Sequence, residues 1–196
     1  LEYATEIYIL GENTTIDGGE TYHDAMNMRC LNIVSLVLNK NDNGCNKKDC
    51  HVMFEYQTTY SVFQHSDISK RIHNVLNFFP FNRYESWARR ILIDNRAKIN
   101  KDEICYMPLD GYEGISPSDE KHVHLVIVGM SKMGIALGIQ ALHVSHYPNI
   151  CKYPDQRTRV TFIDTNADKE MAFFKGRYAT LFELARHRYI DANNCN

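Results

Sequence analysis

The most constraining stretch of this chain is residues 123–138. An apolar run rich in β-branched residues, Val123-His124-Leu125-Val126-Ile127-Val128, breaks at Gly129, and small residues then recur through the start of a helical pattern. Such a run predicts a buried parallel strand that turns sharply into a helix whose N-terminus receives a phosphate. The turn reads Gly129-x-Ser131-x-x-Gly134, with serine where the dinucleotide fingerprint carries its second glycine. A carboxylate completes the pattern downstream. Val160-Thr161-Phe162-Ile163 predicts a second strand ending at Asp164, where an acidic side chain accepts hydrogen bonds from a ribose diol and repels a 2′-phosphate. Asp164 lies 35 residues after Gly129 (164 minus 129), longer than the usual value of about 20, and the polar insertion at 146–158 accounts for the excess. A competing reading makes Asp164 a cap of the next helix, because Asp164-Thr165-Asn166-Ala167-Asp168 is rich in capping residues. Ser131 and Lys132 either supply a hydroxyl and a cation to a phosphate or serve only the turn.

The first 60 residues give strand, helix, strand. Glu6-Ile7-Tyr8-Ile9-Leu10-Gly11 and His51-Val52-Met53-Phe54-Glu55-Tyr56 read as strands, and Ala25, Met28, Leu31, Ile33, Val34, Leu36, Val37 and Leu38 lie at mostly helical spacing between them. That order implies two parallel strands joined by a right-handed crossover. Residues 61–97 read as a helical connector: Ile68, Ile72, Val75, Leu76 and Phe79 form one face closed by Pro80, and Asn82 with Glu85 starts a second helix carrying Trp87, Ile91 and Leu92. Arg83, Arg89 and Arg90 on that helix read as a solvated face rather than an anion site. Residues 98–120, rich in proline, glycine and acidic residues, read as a linker loop, with Asp110 and Glu113 as turn residues. Residues 121–196 form the nucleotide-type βαβ unit, ending in one helix over 168–189 with Met171, Phe174, Tyr178, Leu181, Phe182 and Ala185 inward. The expected fold class is α/β: a Rossmann-like parallel sheet with helices on both faces, plus the helical connector between two βαβ units.

Several function classes are disfavoured. A net charge of -2 leaves no basic footprint for nucleic acid. No apolar run reaches the roughly 20 residues that cross a bilayer, and residues 1–6 lack the basic and apolar regions of a signal peptide, so a cytoplasmic location is expected. The six cysteines are scattered, and Cys45 with Cys50 has no second close pair to complete a zinc site. A dehydrogenase needs a proton donor or acceptor beside its nicotinamide. No tyrosine is followed four residues later by lysine, and no nucleophile elbow, P-loop or His-Glu-x-x-His occurs. His122, His124, His143 and His146 cluster near the turn in sequence without a partner motif.

At Val126-Ile127-Val128-Gly129-Met130-Ser131-Lys132-Met133-Gly134 followed by Val160-Thr161-Phe162-Ile163-Asp164, the chain resembles the RCK or TrkA-N family. These are Rossmann-fold cytoplasmic regulatory domains of potassium channels and transporters that bind NAD(H) or adenine nucleotides. The resemblance implies a phosphate loop over Gly129, Met130, Ser131, Lys132, Met133 and Gly134, a ribose site at Asp164 and Thr165, no catalytic residue, and NAD(H), AMP, ADP or ATP as ligand. It also implies a homo-oligomer and a membrane channel or transporter subunit, in this or another chain, as partner. The N-terminal βαβ unit looks like the second half of such a domain. Two strands alone make an unstable parallel sheet, so either the two halves share one sheet of at least four strands or the chain is part of a longer tandem protein. The expected function is a non-catalytic nucleotide sensor; the alternatives are a small NAD-dependent oxidoreductase and a ligand-free Rossmann domain used for assembly.

Overall fold

A computed structural model describes residues 3–11, 21–40, 47–93, 108–111 and 113–191. The fold is mixed α/β, with parallel sheets of three and two strands flanked by helices in a Rossmann-like manner. The chain divides into two compact units, Leu1–Trp87 and Ala88–Asn196.

In the first unit, β1 (Glu6–Ile9), α1 (Thr21–Lys40) and β2 (Lys48–Met53) form the expected parallel crossover. After α2 (Gln57–Gln64) and α3 (Asp67–Val75), residues Leu76–Phe81 form a third strand, β3, parallel to β2 and not the end of a helical face. The helical reading fails here because Leu76 continues the i+4 spacing from Ile72 although the backbone is already extended, with Leu76 at φ -132 and ψ 146. Pro80 does not end a helix but sits within β3, where an edge strand tolerates a missing N–H. The order is β1-β2-β3.

Alternation along the strands places Ile7, Ile9, Cys50, Val52, Leu76 and Phe78 on one face, against Leu31 of α1, Phe63 of α2 and Ile72 of α3. Leu31, Val52, Phe63, Ile72 and Leu76 are almost completely buried, each contributing about 1.5–3 kcal/mol. Cys50 shares this core, and burial pushes its thiol up to about 11, so it is held protonated. Its sequence neighbour in the Cys45–Cys50 pair lies outside the described residues.

The buried side of α1 is partly polar. Asp24, Asn27, Leu31 and Ser35 are buried, whereas Ile33, Leu36 and Val37 are exposed. Asp24 accepts hydrogen bonds from the amides of Glu55 (2.8 Å) and Tyr56 (3.1 Å), and Asn27 Nδ2 donates to Met53 O (2.8 Å). His23 Nε2 donates to Leu10 O (3.0 Å), while its Nδ1 stands 3.2 Å from Asp24 Oδ1. Asn82, past β3, donates to Glu55 O (2.9 Å). These side chains join the carboxyl ends of all three strands. Asn82 also caps α4 (Arg83–Leu92) as expected, accepting from the amides of Tyr84 and Glu85.

In the second unit, β4 (His124–Val128) and β5 (Arg159–Ile163) pair in parallel, with Val128 opposite Ile163. Between them runs α5 (Lys132–Val144). The described strands pair within two sheets, one in each unit, so the first of the two alternatives, a shared sheet of four or more strands, is not formed among the described residues. Each sheet is built from consecutive strands through local crossovers, and no β4 pairing to the first unit's strands occurs among the described residues. The long C-terminal helix is also corrected. It is two helices, α6 (Ala167–Arg177) and α7 (Ala179–Leu184), broken at Tyr178, whose ψ of 43 leaves the helical region. Phe174 packs against Phe162, Tyr178 and Phe182 across that break. Among the described residues no helix is long and apolar enough to cross a membrane.

Candidate nucleotide site

The glycine turn has the geometry its residues predict. The β4–β5 ladder extends one step beyond the strands, with the Gly129 amide donating to Ile163 O at 2.8 Å. Gly129 then turns at φ +97, a conformation that L side chains rarely adopt. Gly134 lets α5 press onto the turn: a Cβ there would lie 2.3 Å from the Gly129 carbonyl oxygen and 3.2 Å from Ile127 Cγ2. This is the close helix–strand approach that the last glycine of the fingerprint provides.

Ser131 is the N-cap of α5, its hydroxyl accepting from the Gly134 amide at 3.2 Å. The residue that departs from the fingerprint thus has a structural task. Ser131→Ala is expected to destabilise the chain by about 1 kcal/mol in urea denaturation, the usual cost of a lost cap. Lys132 and Met133 open the helix, and Met130 is buried with 3% of its surface exposed, so it offers the site its backbone and not its side chain. Backbone N–H groups in the first turn of any helix have no intrahelical acceptor, which makes this end suited to an anion.

Asp164 stands where β5 ends, between the glycine turn and Asn166, the N-cap of α6. Its Oδ2 accepts from the Met130 amide at 2.7 Å, bridging to the glycine turn, and its Oδ1 accepts from the Asn166 amide at 2.7 Å, before α6. These two bonds, that of Met130 first, hold the carboxyl below the usual carboxylate range. Two of its roughly four acceptor positions are used, leaving capacity for a diol. Thr165 is exposed in the same turn.

Because the folded pKa of Asp164 is depressed, its stabilising effect is present above the unfolded value and is lost as pH falls through the folded one. Carbon-detected titration of the Asp164 carboxyl should therefore show a midpoint below that of a model aspartate. Asp164→Asn should remove that part of the acid dependence of stability.

The structure brings Gly129 through Gly134 and Asp164 together and places the four clustered histidines elsewhere. His122 and His124 precede or begin β4, while His143 and His146 lie at the end of α5, so all four are at the opposite end of the βαβ unit from Gly129. His122 pairs with Gln156 (2.9 Å) and His124 with Thr161 (2.8 Å). The 146–158 insertion is at that far end too. It contains a short 3-10 helix, Pro148–Cys151, whose buried Asn149 donates to Asp119 O and Lys121 O. It does not fill the turn. Arg83 reaches Tyr84 OH at 2.6 Å and lies over that ring, and Arg89 and Arg90 are exposed.

Sequence reasoning missed the His23, Asp24 and Asn27 cluster at the carboxyl ends of the first sheet. A signal was present: Asp24 and Asn27 fall seven and four residues before Leu31, on the buried stripe of α1. Comparison with family models, curated proteins and solved structures finds no match to this chain.

Proposed function

We propose that the chain is a non-catalytic nucleotide-binding regulatory module of the RCK or TrkA-N kind, sensing NAD(H) or an adenine nucleotide for a potassium or other cation channel or transporter. The observation that carries this reading is the Asp164 carboxylate hydrogen-bonded to the glycine turn itself. That bond holds a carboxylate beside the N-terminal end of α5, the arrangement that a mononucleotide with a free ribose diol requires of its acceptor and phosphate groups. In this reading the first turn of α5 receives the phosphates, Gly129 and Gly134 allow the backbone to approach, and Asp164 accepts from the diol while repelling a 2′-phosphate. No histidine of the 122–146 cluster adjoins the turn, which favours a sensor over an oxidoreductase. Signalling then requires the nucleotide to bind two conformations of the protein with different affinity.

Isothermal titration with NAD⁺, NADH, AMP, ADP and ATP tests the proposal directly. Saturable heat is expected from at least one of them, with NADP⁺ weaker than NAD⁺. Absence of binding by all five at millimolar concentration overturns it.

A further inference from the structure

The outer face of the three-stranded sheet carries a second organised feature, independent of the nucleotide site. Tyr8, His51 and Phe79 occupy one register row across β1, β2 and β3. Their rings stack in series, with centroids 4.6 and 5.1 Å apart and interplanar angles of 11° and 19°. Tyr8 is 59% exposed and Phe79 45% exposed, so the stack forms an apolar ridge open to solvent. The neighbouring row is Glu6, Asp49 and Asn77. Glu6 accepts from Tyr8 OH at 2.7 Å, and Asp49 accepts from Asn77 Nδ2 at 2.9 Å. Of the lysines just before Asp49, Lys47 Nζ donates to His73 O and Lys48 Nζ to Ala4 O. The face is therefore aromatic in one row and acidic in the next. In the next row toward the carboxyl ends of the strands, Met53 is buried and its register partner Phe81 half-buried.

Parallel sheets are covered by helices on both faces, and α1, α2 and α3 contribute to the core on the other side of this sheet. We propose that the Tyr8–His51–Phe79 face is a docking surface for a basic amphipathic α-helix of a partner protein. The helix lays apolar side chains over the ring row and sets arginine or lysine side chains against Glu6 and Asp49. Charge complementarity selects this occupant: a carboxylate row accepts a cation and repels both an acidic helix and a phosphate backbone. A guanidinium at the β1 edge would gain both the Glu6 carboxylate and the outer face of the Tyr8 ring.

The test uses the whole chain and a designed helical peptide with leucines along one face and arginines at one end, compared with the same peptide carrying glutamates in place of the arginines. The arginine peptide is expected to bind, to weaken with added salt, and to shift the NMR signals of Tyr8, His51 and Phe79. Affinity should fall roughly tenfold or more in Glu6→Lys/Asp49→Lys and in Tyr8→Ser/Phe79→Ser. Circular dichroism confirms that each variant is folded. If either variant does not fold, the location of the shifts in the unaltered chain decides. Failure of the arginine peptide to bind, equal binding of the glutamate peptide, unchanged affinity in folded variants, or shifts confined to other residues would each overturn the proposal. So would oligothymidylate shifting the same three rings in its place, or a dimer in sedimentation that Tyr8→Ser/Phe79→Ser dissociates.

Discussion

Asp24→Ala is expected to destabilise the first unit by about 3–5 kcal/mol, a large part of the 5–15 kcal/mol that holds an ordinary domain together. The carboxylate has no exposed surface and accepts from two consecutive amides where the chain leaves β2. Removing it leaves the Glu55 and Tyr56 N–H groups without their acceptor, each at a cost of roughly 1–3 kcal/mol, and takes the acidic neighbour from His23 Nδ1. Asp24→Asn keeps one acceptor oxygen and should lose about half as much. Urea denaturation followed by circular dichroism measures both. A loss below about 1 kcal/mol for the alanine variant would mean that water replaces the carboxylate at no cost, contrary to the burial of the site.

Gly134→Ala is expected to cost about 1–3 kcal/mol and, under the proposed function, to weaken nucleotide binding by more than tenfold, the larger effect being on binding. The added Cβ would meet the Gly129 carbonyl oxygen at 2.3 Å, and a backbone atom yields only if the turn moves. Any such movement also strains the Met130 amide's bond to Asp164, so the glycine turn and the carboxylate shift together. Gly176→Ala is the control: nothing lies within 4 Å of its would-be Cβ, and it sits inside α6, where alanine is favoured over glycine by about 0.5–1 kcal/mol. Thermal melts and titration with the tightest-binding nucleotide distinguish the two. Equal nucleotide affinity in Gly134→Ala and the parent would remove the glycine turn from the site.

What the sequence made legible follows from how local each signal is. The β4 run, the break at Gly129 and the strand ending in Asp164 are contiguous patterns, and the structure has each of these elements in place. The crossover of β1, α1 and β2 was readable for the same reason. β3 was not, because Ile72 and Leu76 keep helical spacing while the backbone between them changes state, and Pro80 marks a helix end as readily as an edge strand. The break at Tyr178 was hidden because Phe174, Tyr178 and Phe182 keep their i+4 spacing through it. The aromatic row of Tyr8, His51 and Phe79 joins residues far apart in the chain, and only the register of three strands aligns them. The role of Ser131 needed the helix start to be placed, since the same residue type serves a phosphate or a cap.

Pro80 gives the first sheet a direction of growth. Phe81 O accepts from the Phe54 amide, so residue 81 faces the interior of the sheet and its predecessor, Pro80, faces outward. At that outer margin an incoming strand would meet an imide nitrogen with nothing to donate, one residue before the end of β3. The β1 margin has no proline, and every residue there retains its N–H. Lengthening of the sheet by main-chain pairing is thus polarised: the β3 margin is chemically blunted by its imide nitrogen, whereas the β1 margin keeps every donor that pairing needs.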